Sequence, residues 1–211
     1  MMFNMKAQTL PLIHLNDAQS LPAIDLLQKT FFVDAGMRDI CRGNSDSVYR
    51  QRLRHWFAAT LQMNLQTQQS VWGLEANGRL CAIAILTDSD KKRTAKAMLQ
   101  WTITVGRSCG LNTVRRTIDQ DHRRRPFLPD AAHTILEFIA VDPDWQGKGI
   151  ARQLFNTIHQ QAQTKKKVMW LETTRPHNVP IFEHFGYNLI DQNQKNGVDY
   201  FFMIHYATED A

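Results

Sequence analysis

Cysteine is scarce in this chain. Its 211 residues hold three, Cys41, Cys81 and Cys109, an odd number set far apart, which argues against a disulfide framework and excludes a Cys-x-x-Cys metal site. They read as free thiols of a reducing compartment, and no metal is expected. Long apolar runs are missing too. The longest, Leu80 to Leu86, is far too short to cross a bilayer, and the N-terminus lacks the charged-then-apolar order of a signal peptide. The expectation is a soluble, unexported, cytoplasmic protein with no membrane partner. No repeat or low-complexity block interrupts the sequence, so one domain over residues 1–211 is expected. The net charge is +5, with basic clusters at Arg115-Arg116, Arg123 to Arg125 and Lys165 to Lys167. Zinc-finger spacing, stacking aromatics of an RNA-binding sheet and a basic zipper are all absent, so no nucleic acid is expected. The clusters read as solvated surface, drawing in part an anionic ligand, and Lys165 to Lys167 as the end of a helix, where cations suit the dipole.

What is present is an alternation of helical and strand periodicities. Thr9 to Leu15 reads as a strand, followed by a helix capped at Asn16 or Asp17 and running to about Phe32. Asp46 to Gln66 places Tyr49, Leu53, Trp56, Phe57, Leu61 and Leu65 at helical spacing. Val71 to Ala76 and Arg79 to Thr87 flank Asn77-Gly78, a hairpin signal. Lys91 to Arg125 is polar and holds Gly106 and Gly110, which suggests two helices broken by a turn. Ile135 to Val141 and Val168 to Glu172 read as strands, and Asn196-Gly197 separates two more, Tyr187 to Gln192 and Val198 to Tyr206. Trp56 and Trp101 read as core. The sum is a mixed α/β domain.

The most informative stretch is Val141 to Ala151, V-D-P-D-W-Q-G-K-G-I-A. It leaves a strand at Pro143 and opens on a helix whose buried face is Ile150, Leu154, Phe155, Ile158 and Ala162. The first amides of a helix have no internal partners and the dipole there is positive, so Gly147 and Gly149 let the backbone close around a polyanion. Trp145 reads as a packing cover for the turn. The turn lacks the Gly-Lys-Ser/Thr of a Walker loop and the third glycine of a dinucleotide fingerprint. Farther on, Asn178 to Tyr187 reads as a short helix capped by Asn178 and stopped by Gly186.

From Ile135 to Tyr206 the chain resembles the GNAT superfamily of N-acetyltransferases, and within it is most similar to puromycin N-acetyltransferase-like members. The resemblance is carried by Gln146-x-x-Gly149-x-Ala151, by Leu171 to Pro180 (L-E-T-T-R-P-H-N-V-P) and by Phe185-Gly186-Tyr187. It implies a GNAT-like central mixed, mostly antiparallel sheet of about six to seven strands flanked by helices, splayed near the cofactor, with a helical insertion between strands three and four. It implies acetyl-CoA as cofactor, its pyrophosphate on Gln146, Gly147, Lys148, Gly149, Ile150, Ala151 and Arg152. The thioester would lie near the backbone of Ile139, Ala140 and Val141, and the pantetheine arm near Asn178 and Phe182. The family usually has a tyrosine where this chain has Phe182, and a phenyl ring has no proton to give a departing thiolate.

Acetyl transfer to an amine needs a neutral nitrogen, an oxyanion site and the relay of two protons. Glu137 is a candidate catalytic group: period two puts it on one face with Ile139 and Val141, and burial there would raise its pKa and suit a base or an amine anchor. The alternative is an ion pair with an arginine. Tyr187 is a candidate source of a hydroxyl, against a packing role. His133 and His184 are weaker candidates for a relay. Asp34, Arg38 and Tyr49, where the first helices meet, are candidates for acceptor contacts, against ordinary surface polarity. The partner expected is a small-molecule amine. A non-catalytic acyl-CoA-binding module is the alternative, and monomer and homodimer stay open.

Overall fold

A computed structural model describes residues 10–206. Thr9, assigned by sequence to the first strand, lies outside them; the strand described is Leu12–His14 (β1). Asn16 then accepts from the amide of Ala18 at 2.8 Å and opens a single 3-10 turn that runs into Ser20–Phe31 (α1). Asp34 caps a separate helix, Ala35–Ile40 (α2), by accepting from the amide of Met37. Six residues are too few for a periodic pattern, so α2 was not legible in the sequence. Asp46–Gln66 (α3) follows, then Val71–Ala76 (β2) and Arg79–Asp88 (β3). The Lys91 to Arg125 segment is two helices, Ala95–Cys109 (α4) and Leu111–Arg124 (α5). Gly110 separates them, whereas Gly106 stays inside α4, close against Leu111 and Val114.

His133–Val141 (β4), Ile150–Thr164 (α6), Val168–Thr173 (β5), Val179–His184 (α7), Asn188–Lys195 (β6) and Val198–His205 (β7) follow within the described residues. The seven strands form one sheet in the order β1-β2-β3-β4-β5-β7-β6. Only β4 and β5 run parallel, as their connection through α6 requires. One face buries Leu53, Phe57, Ile83 and Ile85 under α1, α3 and α4. The other buries Leu154, Phe155, Ile158 and Leu171 under α6. Amphipathic helices thus cover both faces of a sheet whose central strands are apolar on both sides.

Two irregularities in β4 position everything that follows. It pairs with β5 only from His133↔Val168 to Leu136↔Leu171, yet stays paired with β3 as far as Val141. Beyond Leu136 the two parallel strands therefore diverge. In addition Ile85 pairs with Phe138 and Leu86 with Leu136, which leaves Glu137 as the extra residue of a β-bulge. The bulge corrects the period-two assignment. Ile139 and Val141 pack on the α6 side, whereas Glu137 turns to the opposite face and meets α5 through Arg124.

Lys167 also departs from expectation. It lies past the end of α6 and is only 5% exposed, with its ammonium 3.1 Å from Asp88 and 2.6 Å from Asp90. It clamps the start of β5 to the loop after β3 rather than facing solvent at a helix terminus.

Candidate functional site

The turn after β4 is built by local chemistry. Asp142 accepts from the amide of Asp144 at 3.0 Å, the Gln146 side chain donates to Val141 O at 3.2 Å, and the Lys148 ammonium returns to Asp144 O at 2.8 Å. Lys148 also lies 4.8 Å from the Trp145 ring centroid, so Trp145 covers the turn as expected. Gly147 and Gly149 have φ of 73° and 79°, where a side chain would be strained, and a Cβ on either would meet nothing within 4 Å. No side chain caps α6. The amides of its first turn therefore have no side-chain partner, and the positive dipole end lies behind them. Ile150 is 4% exposed and packs inward, and Arg152 reaches His184 at 3.2 Å, so here backbone rather than side chains is presented.

The bare edge of β4 continues this surface. Asp142 donates its amide to Cys81 O across β3. Strand alternation then turns the amides of Val141 and Ile139 the other way, into the gap that β5 leaves. Ala140 points its side chain into the core and is 2% exposed. Where the strands diverge, a cavity of about 390 Å³ opens, a volume typical of small-molecule sites. Its walls come from β4, β5 and α1 to α5, and Asn178 and Phe182 also line it. Trp56 and Trp101 are buried as expected, their indole N–H groups donating to Thr117 and Thr60, and both also line this cavity.

Glu137 lines the cavity as half of an ion pair. Arg124 donates to both of its oxygens, at 2.7 and 3.2 Å, and Arg93 lies 3.4 Å from one of them. Burial alone would raise the carboxyl's pKa; Arg124 foremost, with Arg93 and a Thr87 hydrogen bond, together outweigh it and hold the pKa down to about 2. The raised pKa expected from burial is thus reversed.

Asn178 immediately precedes α7, at its N-cap position, but has helical dihedrals and makes no capping bond. Its side chain donates to Thr173 Oγ1 at 3.2 Å instead, which corrects the capping assignment. Phe182 is 7% exposed and lines the cavity. Tyr187 does not join it. The Tyr187 hydroxyl sits 3.3 Å from His159 Nε2, and its ring packs against both His159 of α6 and His205 of β7, which stack on each other at 4.2 Å. Burial pushes the phenol up and pulls His159 down to about 4, so both are neutral groups of a packed layer. His133 is held by Ala131 O and His184 by Arg152.

Of the three residues expected at the acceptor mouth, only Asp34 lines the cavity. It caps α2 and accepts from Thr174 Oγ1 at 2.9 Å. Arg38 pairs with Asp46 at 3.0 Å and stacks over Phe32 and Tyr49. Tyr49, 2% exposed, donates to Phe31 O. Both brace α1 to α3.

Sequence reading passed over Glu172. It stands on β5 directly after the last residue paired with β4 and lines the same cavity. The signal was available: a carboxylate ends the apolar run V-M-W-L-E.

Residues 130–206 match the model of the acetyltransferase (GNAT) domain family. An uncharacterized N-acetyltransferase of Schizosaccharomyces pombe is 29% identical over 94 residues, which are 37% of this chain and 38% of that protein. The chain thus spans well under half the length of the curated relative it matches. Among solved structures, one from Corynebacterium glutamicum described as "histone acetyltransferase HPA2 and related acetyltransferase" superposes with a TM-score of 0.71 at 13% identity. That match covers 97% of this chain and 100% of the other. A GNAT family acetyltransferase from Elizabethkingia anophelis, solved with acetyl-CoA bound, gives 0.51 at 12% identity over 93% and 97% of the two chains. The chain has a GNAT-like fold, and its residues 130–206 match the acetyltransferase (GNAT) domain family.

Proposed function

We propose that this protein transfers the acetyl group of acetyl-CoA to the amine of a small molecule, by direct transfer in a ternary complex. The observation that carries this reading is the uncapped, glycine-opened start of α6 beside the diverging edges of β4 and β5. An anionic diphosphate fits the amides from Gly147 to Arg152, and Gln146, braced on Val141 O, shapes the turn around it. A thioester arm fits the gap, with Asn178 and Phe182 beside it and the amides of Ile139 and Val141 oriented to polarise its carbonyl. When bound, acetyl-CoA supplies an activated acyl group; the protein holds the amine against it and excludes water.

Glu137 acts in this reading through Arg124, fixing α5 against β4. With a pKa near 2 it stays ionised at any working pH and is a poor proton acceptor. Tyr187 has no part in the proton path, since its hydroxyl is spent on His159. The further likeness to puromycin N-acetyltransferase-like proteins rests on the Leu171 to Pro180 and Phe185 to Tyr187 sequences and does not extend to a drug substrate.

Acetyl-CoA should release CoA thiol, detected colorimetrically, with at least one primary amine among tyramine, spermidine and a lysine-bearing peptide. Phe182 favours a second reading, an acyl-CoA-binding module without turnover, because no acid stands at that place. Steady thiol release would dispose of that reading. Phe182→Tyr tests the chemistry: turnover is expected to rise by about tenfold, because a phenol replaces water as the thiolate's proton donor. Unchanged turnover would mean that another group already supplies that proton.

A further inference from the structure

We propose that Glu172 takes the proton of the acceptor's ammonium group, which makes it a catalytic residue for the acetyl transfer read above, on which this proposal rests. Leu136↔Leu171 is the last pair joining β4 to β5. The next residues, Glu137 and Glu172, therefore flank the opening, one on each strand. Leu171 packs on the α6 side and Glu172 faces the other way, toward α5 and the cavity. The two carboxylates are not equivalent. Glu137 is closed by Arg124 and Arg93. Glu172 has no ion pair within 4.0 Å among the described residues; Gln120 Nε2 donates to its Oε1, while Oε2 is buried without a hydrogen-bond partner.

A lone buried carboxylate oxygen calls for a donor, and an ammonium entering the cavity supplies one. The Gln120 bond fixes the carboxyl plane. The charged and titratable groups facing Glu172 are Arg123 and Arg124 from α5, Glu137 from β4 and Tyr200 from β7. Burial raises the carboxyl's pKa, and Arg124 opposes without cancelling the rise. That moves Glu172 toward the range where a carboxylate can serve as a base near neutral pH, in contrast to Glu137.

The step balances as follows. The ammonium gives one proton to Glu172, and the freed lone pair forms the C–N bond to the acyl carbon. The C–S bond breaks with its electron pair on sulfur. The proton still in excess on nitrogen passes through water to sulfur, and Glu172 later releases its own proton to solvent. The products are the amide and the CoA thiol.

Glu172→Gln keeps the shape and the Gln120 contact and removes the charge. With tyramine, spermidine or the lysine-bearing peptide, kcat should fall about a hundredfold or more, while acetyl-CoA affinity by calorimetry stays within about twofold. A second readout needs no acetyl-CoA. A carboxyl whose folded pKa is raised loses stability as pH climbs from the unfolded pKa through the folded one. The neutral variant escapes that loss, so its Tm should exceed that of the wild type by a margin that widens as pH rises from 4 to 8. Retained turnover with intact acetyl-CoA binding, or a Tm below wild type across that range, would overturn the role of Glu172 alone. A wild-type protein that neither binds acetyl-CoA nor releases thiol would overturn the acetyl-transfer reading and this proposal together.

Discussion

Arg124→Met should cost about 3–5 kcal/mol of stability, the loss expected when one partner of a buried ion pair is removed. Arg124 and Glu137 are 13% and 11% exposed, and the pair is bidentate. Without the guanidinium, Arg93 at 3.4 Å is the one cation left beside Glu137 among the described residues. For a chain of this size the loss corresponds to a fall in Tm of roughly 6–20 °C. The pH dependence has a definite sign. In the wild type the folded pKa of Glu137 is depressed to about 2, so the stability it contributes is present above the unfolded carboxyl pKa and lost as pH falls toward 2. The gap between wild type and variant should thus be widest near neutrality and narrow between about pH 4.5 and pH 2. Adding Glu137→Gln to Arg124→Met should recover much of the loss, because no charge is then left buried alone. Urea unfolding at pH 7 and pH 3 checks all three statements. A loss under about 1 kcal/mol at pH 7 would mean that the pair is effectively solvated.

The second large effect is on binding. Ala151→Asp places a carboxylate in the first turn of α6. A negative charge there suits the helix dipole, so stability should hold or rise slightly. The same charge competes for the unpaired amides and repels a diphosphate. Acetyl-CoA affinity should therefore drop at least about a hundredfold, near 3 kcal/mol, with Tm unchanged or higher. A variant that loses Tm along with affinity would show damage to the fold, and one that binds normally would place the diphosphate elsewhere.

Much of this was legible from periodicity and turn chemistry. The buried face of α6, the Asn77-Gly78 and Asn196-Gly197 hairpins and the break at Gly110 are local features, and each appears where local rules put it. The opened turn at Gly147 and Gly149 is local too. What escaped depends on pairing between distant segments. The bulge at Glu137 is a property of its register with Ile85 and Leu86, and no pattern within β4 announces it. The same shift sent Glu137 to the Arg124 face and reversed the pKa expected of it. Tyr187 was singled out as a source of a hydroxyl and Tyr49 as an acceptor contact, yet each hydroxyl is satisfied inside a packed layer, by His159 and by Phe31 O. Glu172 matters only because β5 leaves β4 one residue earlier. Lys167 was one lysine of three until Asp88 and Asp90 folded against it.

Calorimetric titration of the full chain with acetyl-CoA, repeated in the presence of CoA and of ATP, tests the central claim most directly. One acetyl-CoA should bind per chain, displaced by CoA and not by ATP. No heat of binding, or displacement by ATP as readily as by CoA, would contradict it.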